Sequence, residues 1–221
     1  MTKYRLVIFD LDGTIADTSP GIFNSIRYAQ KMMGLCEITD EQMRSHVGPP
    51  MEESYNRNFG LEGDELKKAV RYHKQYAIEQ GYKEIQIYPG MADLLRTLRS
   101  NGINTAIATL KANETAQKMF VGTALDGMFD YIIGTDVSFS LTKSQLIGKC
   151  IERFNIDRSE CVLIGDSKYD AEGAEEAGVD FIAVTYGFGF KKGENIDYPN
   201  VGVMSSCYEL IGFFDQLSDD I

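Results

Sequence analysis

Five short apolar runs recur along the chain, each after a stretch with helical spacing or near the N-terminus, and they predict the strands of a sheet. Strands that alternate with helices favour parallel pairing through helical crossovers. The predicted strands are Leu6–Phe9, Ile103–Ala108, Tyr131–Ile133, Cys161–Ile164 and Phe181–Val184. This pattern predicts an α/β fold with a doubly wound, parallel, Rossmann-like sheet.

The segments that separate the later strands have apolar residues at helical spacing. Lys143–Phe154 is one such segment, and Ala171–Ala177 is another that ends at Gly178, a residue type that often follows the last helical turn. We interpret both as crossover helices.

The interval between the first two predicted strands is too long for one crossover and is mostly helical in pattern. The start and stop signals are the pair Ser19-Pro20 as N-cap and first-turn proline, the capping box of Thr39 and Gln42, Gly60 after a third apolar stripe, and Gly81 after a fourth. We therefore predict a core domain of residues 1–18 and 86–221 and an inserted α-helical domain of residues 19–85.

Composition restricts the class of partner. The chain has 221 residues, 33 acidic and 22 basic, and its net charge of −11 opposes binding to nucleic acid or to an anionic membrane. No stretch resembles a signal peptide or a membrane span, and the four cysteines form no Cys-x-x-Cys pair. We expect a cytoplasmic monomer or homodimer with a small-molecule partner, reduced cysteines and no zinc site.

Two carboxylates follow the first predicted strand. Asp10 and Asp12 point the same way if the chain stays extended, and Gly13 permits a sharp turn after them. Ligands of open α/β sheets bind beyond the carboxyl ends of the strands, so this pair is a candidate catalytic site. A surface turn explains an Asp-Gly pair equally well.

Further polar residues follow the other strands. Thr109 ends the second strand, Lys143 opens the helix after the third, and Asp166 and Asp170 follow the fourth. Carboxylates that converge at the carboxyl ends of the strands repel one another unless a cation lies between them. Because the site offers hard oxygen ligands and no histidine or thiol, the cation that it favours is Mg²⁺.

Together, these motifs resemble the haloacid dehalogenase (HAD) superfamily, in its phosphoglycolate phosphatase-like branch with a helical cap. The resemblance rests on Asp-x-Asp-Gly-Thr at residues 10–14, Thr109, Lys143 and Gly-Asp-x-x-x-Asp at residues 165–170, in the family's order. It implies a phosphatase in which Asp10 is the nucleophile and Asp12 the general acid and base.

The resemblance also implies a ligand set. Mg²⁺ would be held by Asp10, the main-chain carbonyl of Asp12, and Asp166, with Asp170 as a direct or indirect partner. The phosphoryl oxygens would be bound by the segment that contains Gly13, by Thr109 and Leu110 at the second strand end, and by Lys143.

Two positions depart from the family pattern. Leu110 stands where the family often has a small polar residue, and Ser144 follows Lys143 where a proline is frequent. Lys111 is therefore a rival to Lys143 as the phosphate ligand, and either lysine could instead be a solvated surface residue.

The inserted domain contains candidates for substrate specificity. They lie in the segment Arg44–Met51 and are Arg44, His46, Gly48 and Pro49. Arg44 could pair with a second anionic group on the substrate, but it could also be a solvated helix residue beside an ordinary turn. The Gly-Phe-Gly-Phe segment at residues 187–190 is too weak a motif to indicate a nucleotide loop, although it resembles the family's loop at that place.

The leading hypothesis is a Mg²⁺-dependent phosphatase that hydrolyses a small, phosphoglycolate-like phosphomonoester through an aspartyl phosphate. Within the same superfamily, a nucleoside 5'-monophosphatase or a sugar phosphomutase has the same motifs. From another class, a phospho-aspartate signalling module also uses an aspartate, a threonine and a lysine, but it lacks a helical insertion of this size and the second acid at Asp12.

Overall fold

The structure is a computed structural model that describes residues 3–136 and 141–219, without the side chains of residues 218 and 219. It divides into two compact units. The first consists of Met1–Ala16 and Ile87–Ile221, and the second of Asp17–Gln86. The predicted boundaries lie close to this division, and the role of the second unit as a substrate-binding cap stays a prediction.

The main sheet belongs to the first unit. The strands of the chain are β1 (Leu6–Phe9), β2 (Ala16–Asp17), β3 (Gln86–Ile87), β4 (Asn104–Ala112), β5 (Tyr131–Thr135), β6 (Cys161–Gly165), β7 (Asp180–Val184) and β8 (Gly202–Met204). In the described residues, six strands form this sheet in the order β5-β4-β1-β6-β7-β8, and β2 pairs with β3 separately. All neighbours in the main sheet are parallel, so the predicted fold class is confirmed.

Helices connect the strands. They are α1 (Ser19–Met33), α2 (Asp40–Arg44), α3 (Met51–Phe59), α4 (Gly63–Glu79), α5 (Met91–Ser100), α6 (Asn113–Lys118), α7 (Lys143–Phe154), α8 (Lys168–Ala177) and α9 (Cys207–Asp219), with short 3₁₀ turns at Gly81–Lys83 and Arg158–Glu160. The crossover α7 has its predicted bounds. The other predicted crossover, α8, begins three residues earlier than Ala171 because Ser167 and Asp170 form a capping box at its start.

The core of the first unit lies against both faces of the central strand. Leu6 and Ile8 of β1 are fully buried in a cluster with Leu146 of α7 and Ala174 of α8. Phe9 points to the opposite face, where its ring meets the Phe129 ring edge to face at 6.0 Å between centroids. A parallel sheet covered on both faces explains why β1 is apolar throughout.

The helices of the second unit confirm some sequence signals and correct others. The capping box of Thr39 and Gln42 is present at α2. The N-cap of α1 is Thr18, not Ser19 as expected, because the Thr18 carbonyl accepts the first helical hydrogen bond, from the Ile22 amide at 3.2 Å. The Ser19 amide and hydroxyl donate to the Asp17 carboxylate, 2.9 and 2.6 Å away. The fourth helix ends at Glu79, earlier than the predicted stop at Gly81.

Gly81 does not end the helix as predicted but lies in the short 3₁₀ turn after α4, where its backbone packs against α1. A Cβ placed on Gly21 of α1 would lie 2.3 Å from the Gly81 carbonyl oxygen, so α1 and the turn after α4 touch backbone to backbone. Only a residue without a side chain fits at Gly21.

All four cysteines are free, and Cys150, Cys161 and Cys207 are buried. Among the described residues, no helix is both long enough and apolar enough to pass through a membrane.

Candidate active site

Asp10 lies where β1 leaves the sheet. Its amide still donates to the Ile164 carbonyl of β6 at 2.9 Å, which fixes the backbone of a residue that is only 8% exposed. The chain then turns at Gly13, whose φ is +86° and whose amide donates to the Ala16 carbonyl at 2.9 Å. A Cβ at Gly13 would lie 2.4 Å from Asp166 Oδ2, so the turn needs glycine for its conformation and for its space.

Asp166 and Asp170 follow β6 and are both 2% exposed. The Ser167 amide and hydroxyl donate to Asp170 Oδ2 at 3.0 and 2.6 Å, which closes the capping box of α8 and leaves the other carboxylate oxygen for a different partner. Carboxylate oxygens of Asp10, Asp166 and Asp170 all lie within 4.8 Å of one another. The structure thus brings together three of the predicted acids.

Lys143 is the cation among these acids. As the first residue of α7 it is buried, and its Nζ lies 2.5 Å from Asp10 Oδ1, 2.8 Å from Asp170 Oδ1 and 2.8 Å from the Ala108 carbonyl oxygen. An ammonium group has three N–H donors, and these three oxygens match that number. The path of the side chain depends on Gly173, where a Cβ would come within 2.5 Å of Lys143 Cγ.

Burial dominates the electrostatics of this cluster. It raises the pKa of Asp10 well above the ordinary value, with the Lys143 ammonium acting in the opposite direction. Burial likewise raises the pKa of Asp166 to about 6, helped by the charge of Asp170 and opposed by two backbone amides. Burial lowers the pKa of Lys143, but the Asp10 and Asp170 carboxylates outweigh it, and the net shift is upward. Burial thus makes these carboxylates costly to ionise together, and a second cation beside Lys143 would favour their ionised forms.

Sequence reasoning missed the contribution of residues 187–190. The amides of Phe188 and Gly189 donate to Asp166 Oδ2 at 2.7 and 3.1 Å, and the Phe190 amide donates to the Asp166 main-chain oxygen at 2.7 Å. A Cβ at Gly187 would lie 2.4 Å from Asp166 Oδ2. The two glycines after a predicted strand, and the resemblance of this segment to the family's loop at that place, were the sequence signals for this loop.

Thr109 and its neighbours lie on β4, which extends beyond the predicted strand end. Thr109 is buried, and its Oγ1 accepts a hydrogen bond from the Lys111 amide at 3.1 Å. Leu110 is 41% exposed, and because its side chain has no hydrogen-bond donor only its backbone amide is suited to bind an anion. Lys111 Nζ lies 3.2 Å from Asp12 Oδ1. The Lys111 side chain is 19% exposed and the Asp12 side chain 25% exposed.

The specificity candidates all belong to the second unit. Arg44 is exposed at the end of α2, Gly48 is exposed with φ of +102°, and Pro49 is half-buried. His46 is only 6% exposed, and its ring packs against Tyr55 at 5.2 Å and Phe59 at 6.0 Å between centroids. A role of these four residues in specificity stays a prediction, and the environment of His46 is that of a core residue.

His46 predicts a pH dependence of stability. Burial, with a smaller effect from Arg57, lowers its pKa from 6.5 to about 4. Between these two pH values the unfolded chain binds a proton that the folded chain does not, so the free energy of unfolding decreases as the pH falls from 6.5 to 4. For His46 alone the full loss is about 3 kcal/mol.

Urea unfolding at several pH values measures this effect. We expect the stability of His46→Phe to decrease less than that of the wild type over the same interval, because phenylalanine does not titrate. Parallel pH profiles for the two proteins would contradict the assignment.

Comparison with known proteins agrees with this geometry. Residues 7–184 match the model of the haloacid dehalogenase-like hydrolase family. The chain is 29% identical over 188 residues to a 5'-nucleotidase of Pseudomonas aeruginosa, covering 85% of each chain. It is 30% identical over 195 residues to a phosphoglycolate phosphatase of Nitrosospira multiformis, covering 83% of this chain and 84% of the relative.

A solved structure gives the same result for the fold. A haloacid dehalogenase-like hydrolase from Streptococcus pneumoniae superposes with a TM-score of 0.87 at 31% identity, covering 97% of this chain and all of the other. The ordered motifs, the acid cluster and the family match lead to one conclusion: the chain belongs to the haloacid dehalogenase-like hydrolase family.

Proposed function

We propose that the protein is a Mg²⁺-dependent phosphatase that hydrolyses a small phosphomonoester through an aspartyl phosphate on Asp10. The observation that carries the proposal is the cluster of Asp10, Asp166 and Asp170 within 4.8 Å, with Lys143 Nζ 2.5 Å from Asp10. A panel of small phosphoesters, assayed for release of inorganic phosphate, tests it. No release from any ester in the presence of Mg²⁺ would contradict it.

The proposed reaction has two displacements at phosphorus. In the first, an Asp10 carboxylate oxygen forms a bond to phosphorus while the ester P–O bond breaks, and Asp12 gives its proton to the leaving oxygen. In the second, Asp12 takes a proton from water, the water oxygen bonds to phosphorus, and the bond to Asp10 breaks. A covalent intermediate divides one difficult displacement into two easier ones.

The surrounding residues would prepare Asp10 for attack and hold the phosphoryl group. Burial favours the protonated, unreactive form of Asp10, whereas the Lys143 ammonium at 2.5 Å favours the ionised nucleophile. Thr109 is buried at the end of the same sheet edge, and we propose that its hydroxyl donates to a phosphoryl oxygen. Positioning and positive charge are the main requirements of phosphoryl transfer.

The donor set fits Mg²⁺. The three acids offer only carboxylate oxygens, which hard cations prefer, and all three are buried, where a bound cation would favour their ionised forms. We propose that Asp10, the Asp12 carbonyl and Asp166 hold the ion, with Asp170 as a further partner. When bound, the ion would neutralise charge on the transferring phosphoryl group.

Metal removal tests this part of the proposal. We expect phosphate release to fall to background in EDTA and to return with added Mg²⁺. Ca²⁺ should inhibit, because it takes more ligands at longer distances than Mg²⁺ and would misplace the nucleophile. Full activity after exhaustive chelation would contradict the metal role.

For the substrate we propose a phosphoglycolate-like ester, supported by the similar phosphoglycolate phosphatase. A nucleoside 5'-monophosphate is the second candidate, supported by the similar 5'-nucleotidase. A panel with 2-phosphoglycolate, nucleoside monophosphates and sugar phosphates distinguishes them by kcat/KM. Isomerisation of a sugar phosphate without net phosphate release would indicate a mutase instead.

A further inference from the structure

Lys111 lies in a β-bulge of β4. Thr109 of β4 pairs with Gly134 of β5, and the next pair is Ala112 with Thr135, so Leu110 and Lys111 are extra residues with no partner on β5. Such bulges re-aim a side chain and are frequent beside active sites. Here Leu110 points outward, at 41% exposure, and Lys111 points toward Asp12.

Contacts with β5 and a hydrogen bond within β4 hold the bulge in place. The Gly134 amide donates to Asn113 Oδ1 at 2.9 Å, and the Lys111 amide donates to Thr109 Oγ1 at 3.1 Å. A Cβ at Gly134 would lie 2.4 Å from the Lys111 carbonyl oxygen, so the bulged backbone occupies the space that a side chain would need. The position of Lys111 is thus built into the sheet.

The two lysines of the site differ in their available donors. Lys143 is buried and has three oxygens within 2.8 Å, one for each N–H. Lys111 has a side chain that is 19% exposed, and its Nζ lies 3.2 Å from Asp12 Oδ1. That carboxylate oxygen has no hydrogen-bond partner within the described residues, so the contact is an ion pair whose N–H groups remain available to a ligand.

We propose that Lys111 is a specificity-determining residue that binds an anionic group on the leaving part of the substrate, such as a carboxylate. The inference rests on the proposed function, in which Asp12 gives a proton to the leaving oxygen. Because the Lys111 ammonium lies beside Asp12, it would also lie beside the part of the substrate that is attached to the leaving oxygen. A free N–H of Lys111 then makes a charge-assisted hydrogen bond to a carboxylate or phosphate of the leaving group.

The test compares two esters that differ only in charge. They are 2-phosphoglycolate and its neutral amide, assayed with wild type and Lys111→Met. We expect the variant to lose about 10- to 100-fold more kcat/KM on the carboxylate than on the amide, the worth of one hydrogen bond to a charged group. The ratio cancels any general loss of activity or stability.

Two further variants control the experiment. Lys111→Arg retains a cation and should retain most of the preference for the carboxylate. Lys118→Met removes an exposed lysine of α6 that pairs with Glu114, and it should leave the preference unchanged.

Binding gives an independent readout. In the background of the inactive Asp10→Asn, calorimetry should show that Lys111→Met weakens 2-phosphoglycolate about tenfold or more relative to the amide. Equal losses on both esters would overturn the inference, because Lys111 would then serve the transferring phosphoryl group or Asp12 alone. No phosphate release by the wild type from any ester would instead overturn the proposed function itself.

Discussion

Asp10→Asn should abolish phosphate release while the protein stays folded. The amide is nearly isosteric with the carboxylate but is a far weaker nucleophile, so no aspartyl phosphate can form at a useful rate. Losing a negative charge from a buried cluster of three acids should also leave the free energy of unfolding equal to that of the wild type or higher. Loss of activity without loss of stability would separate a catalytic role from a structural one.

Two comparisons sharpen this prediction. Asp93→Asn changes an exposed aspartate of α5 that pairs with Arg96, and it should keep wild-type activity. Asp12→Asn should reduce kcat by roughly 10² to 10⁴, the usual value of general acid and base catalysis. Loss of the nucleophile should lower the rate of phosphate release by far more than tenfold. Release by Asp10→Asn at even a tenth of the wild-type rate would therefore contradict the assignment.

Lys143→Met should be both inactive and strongly destabilised. The substitution keeps a long side chain but removes the ammonium that lies within 2.8 Å of Asp10 and Asp170, leaving buried carboxylates without their cation. Breaking a buried ion pair by removing one partner costs about 3 to 5 kcal/mol. Urea unfolding at neutral pH without Mg²⁺ measures this loss.

The effects of pH and Mg²⁺ on the stability of Lys143→Met test whether unpaired buried carboxylates cause its destabilisation. Burial raises the pKa values of Asp10 and Asp166, so lower pH should neutralise these acids and reduce the difference between Lys143→Met and the wild type. Added Mg²⁺ should also restore part of the lost stability, because a ligand that binds the folded state stabilises it.

Lys149→Met is the matched control for that experiment. Lys149 lies on the same helix but is exposed, so its loss should change the stability by no more than about 0.5 kcal/mol. Equal destabilisation by the two substitutions would mean that the buried charges of Lys143 are not what matters.

Local sequence signals predicted the sheet because each is a short-range physical effect. The apolar run Leu6–Phe9 is typical of a strand covered on both faces, and the carboxyl end of such a strand is where Asp10 emerges. The capping box of Thr39 and Gln42 likewise depends on residues three positions apart. Such features need no knowledge of the rest of the fold.

The parts of the site that were missed depend on backbone geometry from distant segments. The amides of Phe188 and Gly189 reach Asp166 through a loop whose sequence shows only two glycines. The bulge at Leu110 and Lys111 arises from pairing with Gly134, more than twenty residues later in the chain. An apolar pattern indicates that a strand exists, but it does not indicate where its register shifts.

The roles of the two lysines also depend on the positions of distant segments. From the sequence, Lys111 and Lys143 were alternative phosphate ligands. In the structure they have different partners, since Lys143 contacts Asp10 and Asp170 whereas Lys111 pairs with Asp12. Only the placement of α7 and the bulge of β4 could distinguish them.

Trapping of the intermediate tests directly whether Asp10 carries the phosphoryl group. Asp12→Asn is mixed rapidly with p-nitrophenyl phosphate and Mg²⁺, quenched in acid and mapped by peptide mass spectrometry. This leaving group departs without a proton, so the first displacement should proceed while hydrolysis of the intermediate is slow for lack of a base. We expect a phosphoryl group on the peptide that contains Asp10, and none in the Asp10→Asn, Asp12→Asn double variant. A phosphoryl group on another residue, or nitrophenol release with no phosphorylated peptide, would contradict the role of Asp10 as the nucleophile.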